Sequence, residues 1–118
     1  MVLIDTCVWI DFLKNDNPKM KTLLNEGEVS THPLIIGELA TGNLKNRTSF
    51  LSLLNDLPFS KEASHHEVFT FIEEKHTFGL GIGFYDIHIL CSAILTNIPL
   101  WTNDKRLKKI AEKHHVIF

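Results

Sequence analysis

Val2-Leu3-Ile4-Asp5-Thr6 is the stretch around which the rest of the chain is organised. Consecutive branched aliphatics leave no polar face for water, so Val2 to Ile4 read as a strand buried on both faces. Asp5 sits where that strand ends. In an open parallel sheet the ligand crevice lies outside the carboxyl ends of the strands, so a carboxylate at this position points toward the expected site. Asp5 or Thr6 also suits the N-cap of a helix over Val8-Trp9-Ile10-Asp11-Phe12-Leu13-Lys14. On this stretch alone both readings stand.

Outward from it, helical and extended segments alternate. Turn formers at Asn15-Asp16-Asn17-Pro18 end the first helix, and a second runs from Pro18 to Gly27, with proline entering and glycine leaving. Glu28 to Thr31 reads as a short strand, and His32-Pro33 leads into a brief helix, Leu34 to Ala40, closed by Gly42. Arg47 to Leu57 carries a helical apolar stripe that ends in Leu57-Pro58-Phe59, an edge strand because its proline cannot donate to a ladder. A helix over Glu62 to Phe78, the loop Gly79-Leu80-Gly81-Ile82-Gly83 and a very apolar helix over Ile87 to Leu95 follow. Pro99 to Thr102 is the next strand, Asp104 to His114 the last helix, and Val116 to Phe118 a final strand. Strands alternating with helices predict an α/β fold: a single domain over residues 1–118 with a mainly parallel central sheet of four to five strands, covered by helices on both faces.

At 118 residues the chain is long enough to bury a core without disulfides or structural metals. Its 44% hydrophobic and 22% charged content is that of a soluble globular protein, and no apolar run is long enough for a membrane span. The first residues lack a basic flank and are interrupted by Asp5, so they read as a strand and not a secretory signal. Cytoplasmic location is the expectation. Cys7 and Cys91 have no CxxC spacing and lie in apolar surroundings, which makes them small buried hydrophobes. The net charge of −2 is not that of a typical nucleic-acid binder, but setting aside four acids for a metal site turns it to +2.

Those acids are Asp5 after the first strand, Glu38 in an otherwise apolar short helix, Asp86 at the head of the central helix and Asp104 just after the Pro99–Thr102 strand. Strand ends and the helix starts that follow them share one edge of a parallel sheet, so all four can face one crevice. Converging carboxylates repel unless cations sit among them, and a hard oxygen donor set suits Mg²⁺ or Mn²⁺. Asp86 and Asp104 also stand where N-caps or dipole partners stand. Asp11, between Ile10 and Phe12, falls on a solvated side of its helix.

In their order and local context, Asp5-Thr6, Glu38-Leu39, Asp86 and Thr102-Asn103-Asp104 resemble the acid set of a PIN domain, and the small size resembles a VapC-type toxin. The resemblance spans essentially the whole chain. Cys7 stands where a small hydroxyl residue is frequent, and His88 and Cys91 stand where small or aliphatic residues are. The resemblance implies metal-dependent endoribonuclease activity, with Asp5, Glu38 and Asp86 as the core metal set and Asp104 as an outer or second-metal ligand. Attack by a metal-activated water would leave 5′-phosphate and 3′-hydroxyl ends. Thr6 and Asn103 are candidate second-sphere or phosphate contacts. It also implies a homodimer held by a small antitoxin, whose Arg or Lys would compete with the metal by charge pairing.

Other signals are weaker. Gly79-x-Gly81-x-Gly83 follows a helix and lacks the residues of a phosphate loop, so it reads as a flexible loop bordering the substrate groove. His65-His66 and His114-His115 are sequence neighbours that do not share a helix face, and all seven histidines read as non-ligands. Lys45 and Arg47, and Lys105 and Arg106 within a longer basic run, are candidate RNA contacts beside the acids. Trp9, Ile10, Phe12 and Leu13 make the first helix more apolar than one core-facing stripe needs, which points to a second chain. Two other functions compete: a catalytically silent PIN-like module that binds RNA or protein, and a phosphohydrolase with Asp5 as covalent nucleophile. The latter wants a second Asp at position 7, where this chain has Cys.

Overall fold

A computed structural model describes every residue from Met1 to Phe118. In chain order it contains β1 (Val2–Ile4), α1 (Thr6–Lys14), α2 (Pro18–Asn25), β2 (Val29–Ser30), α3 (Pro33–Ala40), α4 (Arg47–Asp56), α5 (His65–Lys75), α6 (Phe84–Thr96), β3 (Leu100–Trp101) and α7 (Lys105–Lys113). β1 is central in the order β2-β1-β3, and both pairings are parallel, with Val2 opposite Val29 and Leu3 opposite Leu100. Val2, Leu3 and Ile4 are all buried although successive strand residues point to opposite faces, so the sheet is covered on both. No helix is long and apolar enough to cross a membrane.

The sheet has three strands, not the expected four to five. Both missing strands are present only as single parallel bridges, Thr31 to Phe59 and Leu100 to Ile117. At the first edge, the Thr31 N–H donates to the Pro58 carbonyl at 2.9 Å, but Pro58 has no N–H to give back, and the neighbouring strand turns at once into the cap of α3 at His32. At the other edge β3 itself is two residues long, so its partner can pair no further.

The helices fall close to where the apolar spacing puts them, and their ends follow local capping chemistry. Asn17 accepts from the Met20 N–H at 3.0 Å ahead of Pro18, and the His32 Nδ1 accepts from the Leu34 N–H at 3.0 Å ahead of Pro33. α5 starts at His65 and not Glu62, because Ser64 and Glu67 form a reciprocal capping box, and it ends before His76, which is left-handed. α6 starts earlier than expected, at Phe84, and is buried continuously from Ile87 to Ala93. Trp9 is fully buried, edge-on to Phe12 and Phe50, so it belongs to the core and not to a docking face. On α1 only Ile10 and Leu13 are exposed apolar residues, at 42% and 46%.

His32 is 2% exposed, and its Nε2 has no partner. Burial lowers its proton affinity, His88 lowers it further, and Glu62 opposes both. An imidazole held neutral in the fold stabilises above its ordinary value of 6.5, and that stability is lost as pH falls below it, because the unfolded chain takes up the proton first. Urea midpoints are therefore expected to drop between pH 7.5 and 5.5. His32→Asn, which keeps a capping oxygen worth about 1 kcal/mol, flattens that dependence. An equally steep decline in the variant would contradict this role of His32.

Candidate active site

Asp5 is 4% exposed, and its carboxylate joins three chain segments. Oδ1 accepts from the Thr6 N–H at 2.8 Å and so caps α1, while Oδ2 accepts from the Thr102 hydroxyl at 2.7 Å and from the Cys7 thiol at 3.5 Å. The capping reading of Asp5 thus holds. Thr102, itself buried, accepts from the Asp104 N–H at 3.1 Å, and the Cys7 Sγ accepts from the Asn103 N–H at 3.4 Å. Asp104 caps α7 through Oδ1, which accepts from Arg106 and Leu107 at 2.9 and 3.0 Å.

Burial and then Asp5 push the Cys7 thiol upward, so it stays protonated and donates to the carboxylate. Sequence reading takes Cys7 for a packing residue and overlooks this contact; its place two residues after Asp5 is the available signal. Tyr85 is overlooked as well. Its hydroxyl lies 2.6 Å from the Thr6 Oγ1, and burial, with Asp5, Glu38 and Asp86 adding to it, pushes the phenol upward. It is the only tyrosine of the chain and directly precedes Asp86.

Asp86 lies in the first turn of α6, half-buried. Burial raises its proton affinity first, then Asp5 and Asp104, with Glu38 adding to them, while a backbone hydrogen bond to Gly83 opposes. Asp5, Asp104 and Glu38 are thus each within electrostatic reach of Asp86. No protein cation offsets them, since the two ion pairs of the chain are Met1 with Glu28 and Lys21 with Asp16. Glu38 is exposed on α3 and borders a cavity of about 560 Å³ that also has Ile10, Leu13 and Lys45 in its wall.

No group of three or more His, Cys, Asp or Glu side chains is arranged to hold an ion directly. The donor chemistry nevertheless fits a hydrated divalent cation, because Mg²⁺-type ions keep several waters and need only one or two carboxylates plus substrate phosphate. Asp5 has already spent most of its acceptor capacity within the protein. Asp86 and Glu38 accept no side-chain or ion-pair contact and carry the open oxygens. For a covalent nucleophile Asp5 is badly placed, with both oxygens engaged and the residue buried.

The remaining sequence candidates separate. The Thr6 hydroxyl meets Tyr85, and Asn103 is exposed beside Cys7. The Arg47 Nη1 donates to the Gly42 carbonyl at 3.4 Å. Lys105 projects freely, whereas the Arg106 Nη1 donates to the Gly81 carbonyl at 3.2 Å.

A PIN-domain family model matches residues 2–113, nearly the whole chain. The chain belongs to the PIN-domain family. This PIN domain is 39% identical over 109 residues to Ribonuclease VapC32 of Mycobacterium tuberculosis, in strains CDC 1551 and H37Rv alike, covering 92% of this chain and 88% of that protein. Both matches support a nuclease of the VapC type, and PIN-domain nucleases generally use divalent metals.

Thr102→Val is expected to destabilise this PIN domain by about 1–3 kcal/mol, because it leaves a buried carboxylate oxygen and the Asp104 N–H without their partner. Thr102→Ser restores most of the loss. Urea denaturation of the three proteins checks this, and a valine variant as stable as wild type would refute it.

Proposed function

We propose that the chain is a Mg²⁺- or Mn²⁺-dependent endoribonuclease, the toxin of a type II toxin–antitoxin pair, cleaving RNA phosphodiesters in the cytoplasm. The observation that carries the reading is the uncompensated acid cluster: burial first, then Asp5, Asp104 and Glu38, raise the proton affinity of Asp86, and no lysine or arginine is paired with any of them. Its nearness to a VapC-type ribonuclease gives that cluster its substrate class.

Asp5, Glu38, Asp86 and Asp104 are the residues that would hold the cation. When bound, it offsets charge on the phosphodiester and acidifies a water for in-line attack. The chain supplies orientation. Thr102 and Cys7 hold the Asp5 carboxylate, the Thr6–Tyr85 hydrogen bond ties the start of α1 to the start of α6, and the exposed Asn103 offers an amide to phosphate. Lys45, Arg47, Lys105 and Arg106 supply positive charge for the RNA backbone. The catalytically silent alternative is disfavoured because all four acids are intact, Glu38 has no side-chain partner within the chain, and Asp86 is held only by the Gly83 backbone.

Asp5→Asn is expected to abolish RNA cleavage while the fold survives, since the amide oxygen can still cap α1 and its nitrogen can donate to the Thr102 hydroxyl. Millimolar Mn²⁺ or Mg²⁺ is expected to raise the wild-type melting temperature by mass action and by relief of repulsion, and to raise that of Asp5→Asn less. Undiminished turnover in the variant, or a melting temperature that ignores both ions, would defeat the assignment.

The proposed partners are a second copy of the chain and an antitoxin. Ile10 and Leu13 are the apolar residues that α1 leaves uncovered, and the cavity beside them leads to Glu38, where an antitoxin Arg or Lys would compete with the metal. Sedimentation at tens of micromolar is expected to give a dimer, weakened by Leu13→Glu. Trp9 is unsuitable for this test because it is core. A wild-type monomer at that concentration would remove the dimer from the reading.

A further inference from the structure

Of the basic residues that follow Asp104, Arg106 alone is docked. Lys105, Lys108 and Lys109 are exposed and make no hydrogen bond or ion pair within the chain, whereas the Arg106 guanidinium lies on the loop between α5 and α6 and donates from Nη1 to the Gly81 carbonyl at 3.2 Å. The fit is close. A Cβ built on Gly81 would collide with Nη1 and come within 2.9 Å of Cζ. Gly81 also has φ +75°, a backbone region that side chains disfavour. The positive φ keeps this position free of a side chain, and the space is taken by the guanidinium, which a Cβ here would push off its seat.

The location gives the contact its meaning. Arg106 lies in the first turn of α7, where its N–H is held by Asp104, and Gly81 lies two residues before Gly83, the N-cap of α6 that bonds Asp86. The guanidinium thus spans the two helix starts that carry Asp86 and Asp104. It pairs with no carboxylate, since its partner is a neutral carbonyl. An arginine paired with the acids would cancel the charge that a metal needs. An arginine on a carbonyl keeps its full charge and most of its five N–H donors, arranged in a fork that matches phosphate oxygens.

We propose that Arg106, seated on the Gly81 carbonyl, grips a phosphate of the RNA strand as it enters the acid cleft, and that Gly81 is the positioning residue that makes room for it. The inference deepens the ribonuclease reading and rests on it for the substrate class. Lys105, Lys108 and Lys109 add diffuse charge, while Arg106 sets where the backbone lies relative to Asp86.

The test is binding of a short mixed-sequence single-stranded RNA to the Asp5→Asn protein in Mg²⁺, followed by fluorescence anisotropy across a salt series, with urea melts confirming that every variant is folded. Arg106→Gln is expected to weaken binding about tenfold and to lower the slope of log affinity against log salt by about 0.7, the share of one phosphate on a single strand. Arg106→Lys keeps the slope but not the affinity, because it keeps the charge and loses the fork. Gly81→Ala reproduces the loss, and combined with Arg106→Gln adds nothing further. In the Asp5-intact enzyme the same changes appear mainly in KM. Unchanged affinity and slope in a folded Arg106→Gln protein overturn the inference while leaving the ribonuclease reading in place. Failure of both the wild-type and the Asp5→Asn proteins to bind RNA at low salt overturns both.

Discussion

The hydrogen bond from the Thr102 hydroxyl to the Asp5 carboxylate is the contact on which the site depends. It joins the residue after β1 to the residue after β3, two strand ends that the chain reaches almost a hundred residues apart. A buried carboxylate is costly unless its lone pairs are satisfied, and here the donors come from a backbone amide, a hydroxyl and a thiol, none of them charged. That choice keeps Asp5 oriented without neutralising it. The same hydroxyl accepts from Asp104, so the start of α7 is registered against β1 through a single oxygen.

The acid cluster stands against the stability of the apo chain. Burial and mutual repulsion both raise the proton affinity of Asp86, which means that its ionised form is disfavoured in the fold. The core compensates with a continuous cluster built on Leu3, Ile4, Trp9, Ile89, Leu90 and Leu100, each fully buried and each worth roughly 1.5–3 kcal/mol by transfer. Cost and compensation meet on the same elements: Asp5 directly follows β1, and Asp86 lies in the first turn of α6.

Much of this was legible in the sequence. The aliphatic run before Asp5, the proline-in and glycine-out helix limits and the apolar stretch from Ile87 located the elements to within a few residues, because each rests on local chemistry. The sheet was overcounted because strand extent depends on neighbours: Leu57-Pro58-Phe59 and Val116-Ile117-Phe118 are extended and adjacent to the sheet, yet each finds only one residue to bridge. Asp5, Asp86 and Asp104 were placed by their positions after strands and at helix starts, and Glu38 by its otherwise apolar helix; the fold puts Asp5, Asp104 and Glu38 within electrostatic reach of Asp86, and their joint role at a metal is the proposal. Cys7, Thr102 and Tyr85 were not read as a network, since their roles arise from contacts 79 to 97 residues distant in sequence. Trp9 misled because an apolar helix surface looks the same in sequence whether a core or a partner covers it.

With strands only two or three residues long, the sheet cannot be what resists opening; that falls to α6, buried over consecutive residues from Ile87 to Ala93. Amide hydrogens along this helix should be the last in the molecule to exchange with solvent. Asp86 is then fastened to the most slowly exchanging part of the protein, while Glu38 stands on the exposed side of α3, above the buried Ile35 and Leu39. The acid that feels the charge of the other three is thus held by the part of the fold that opens only when the whole molecule unfolds.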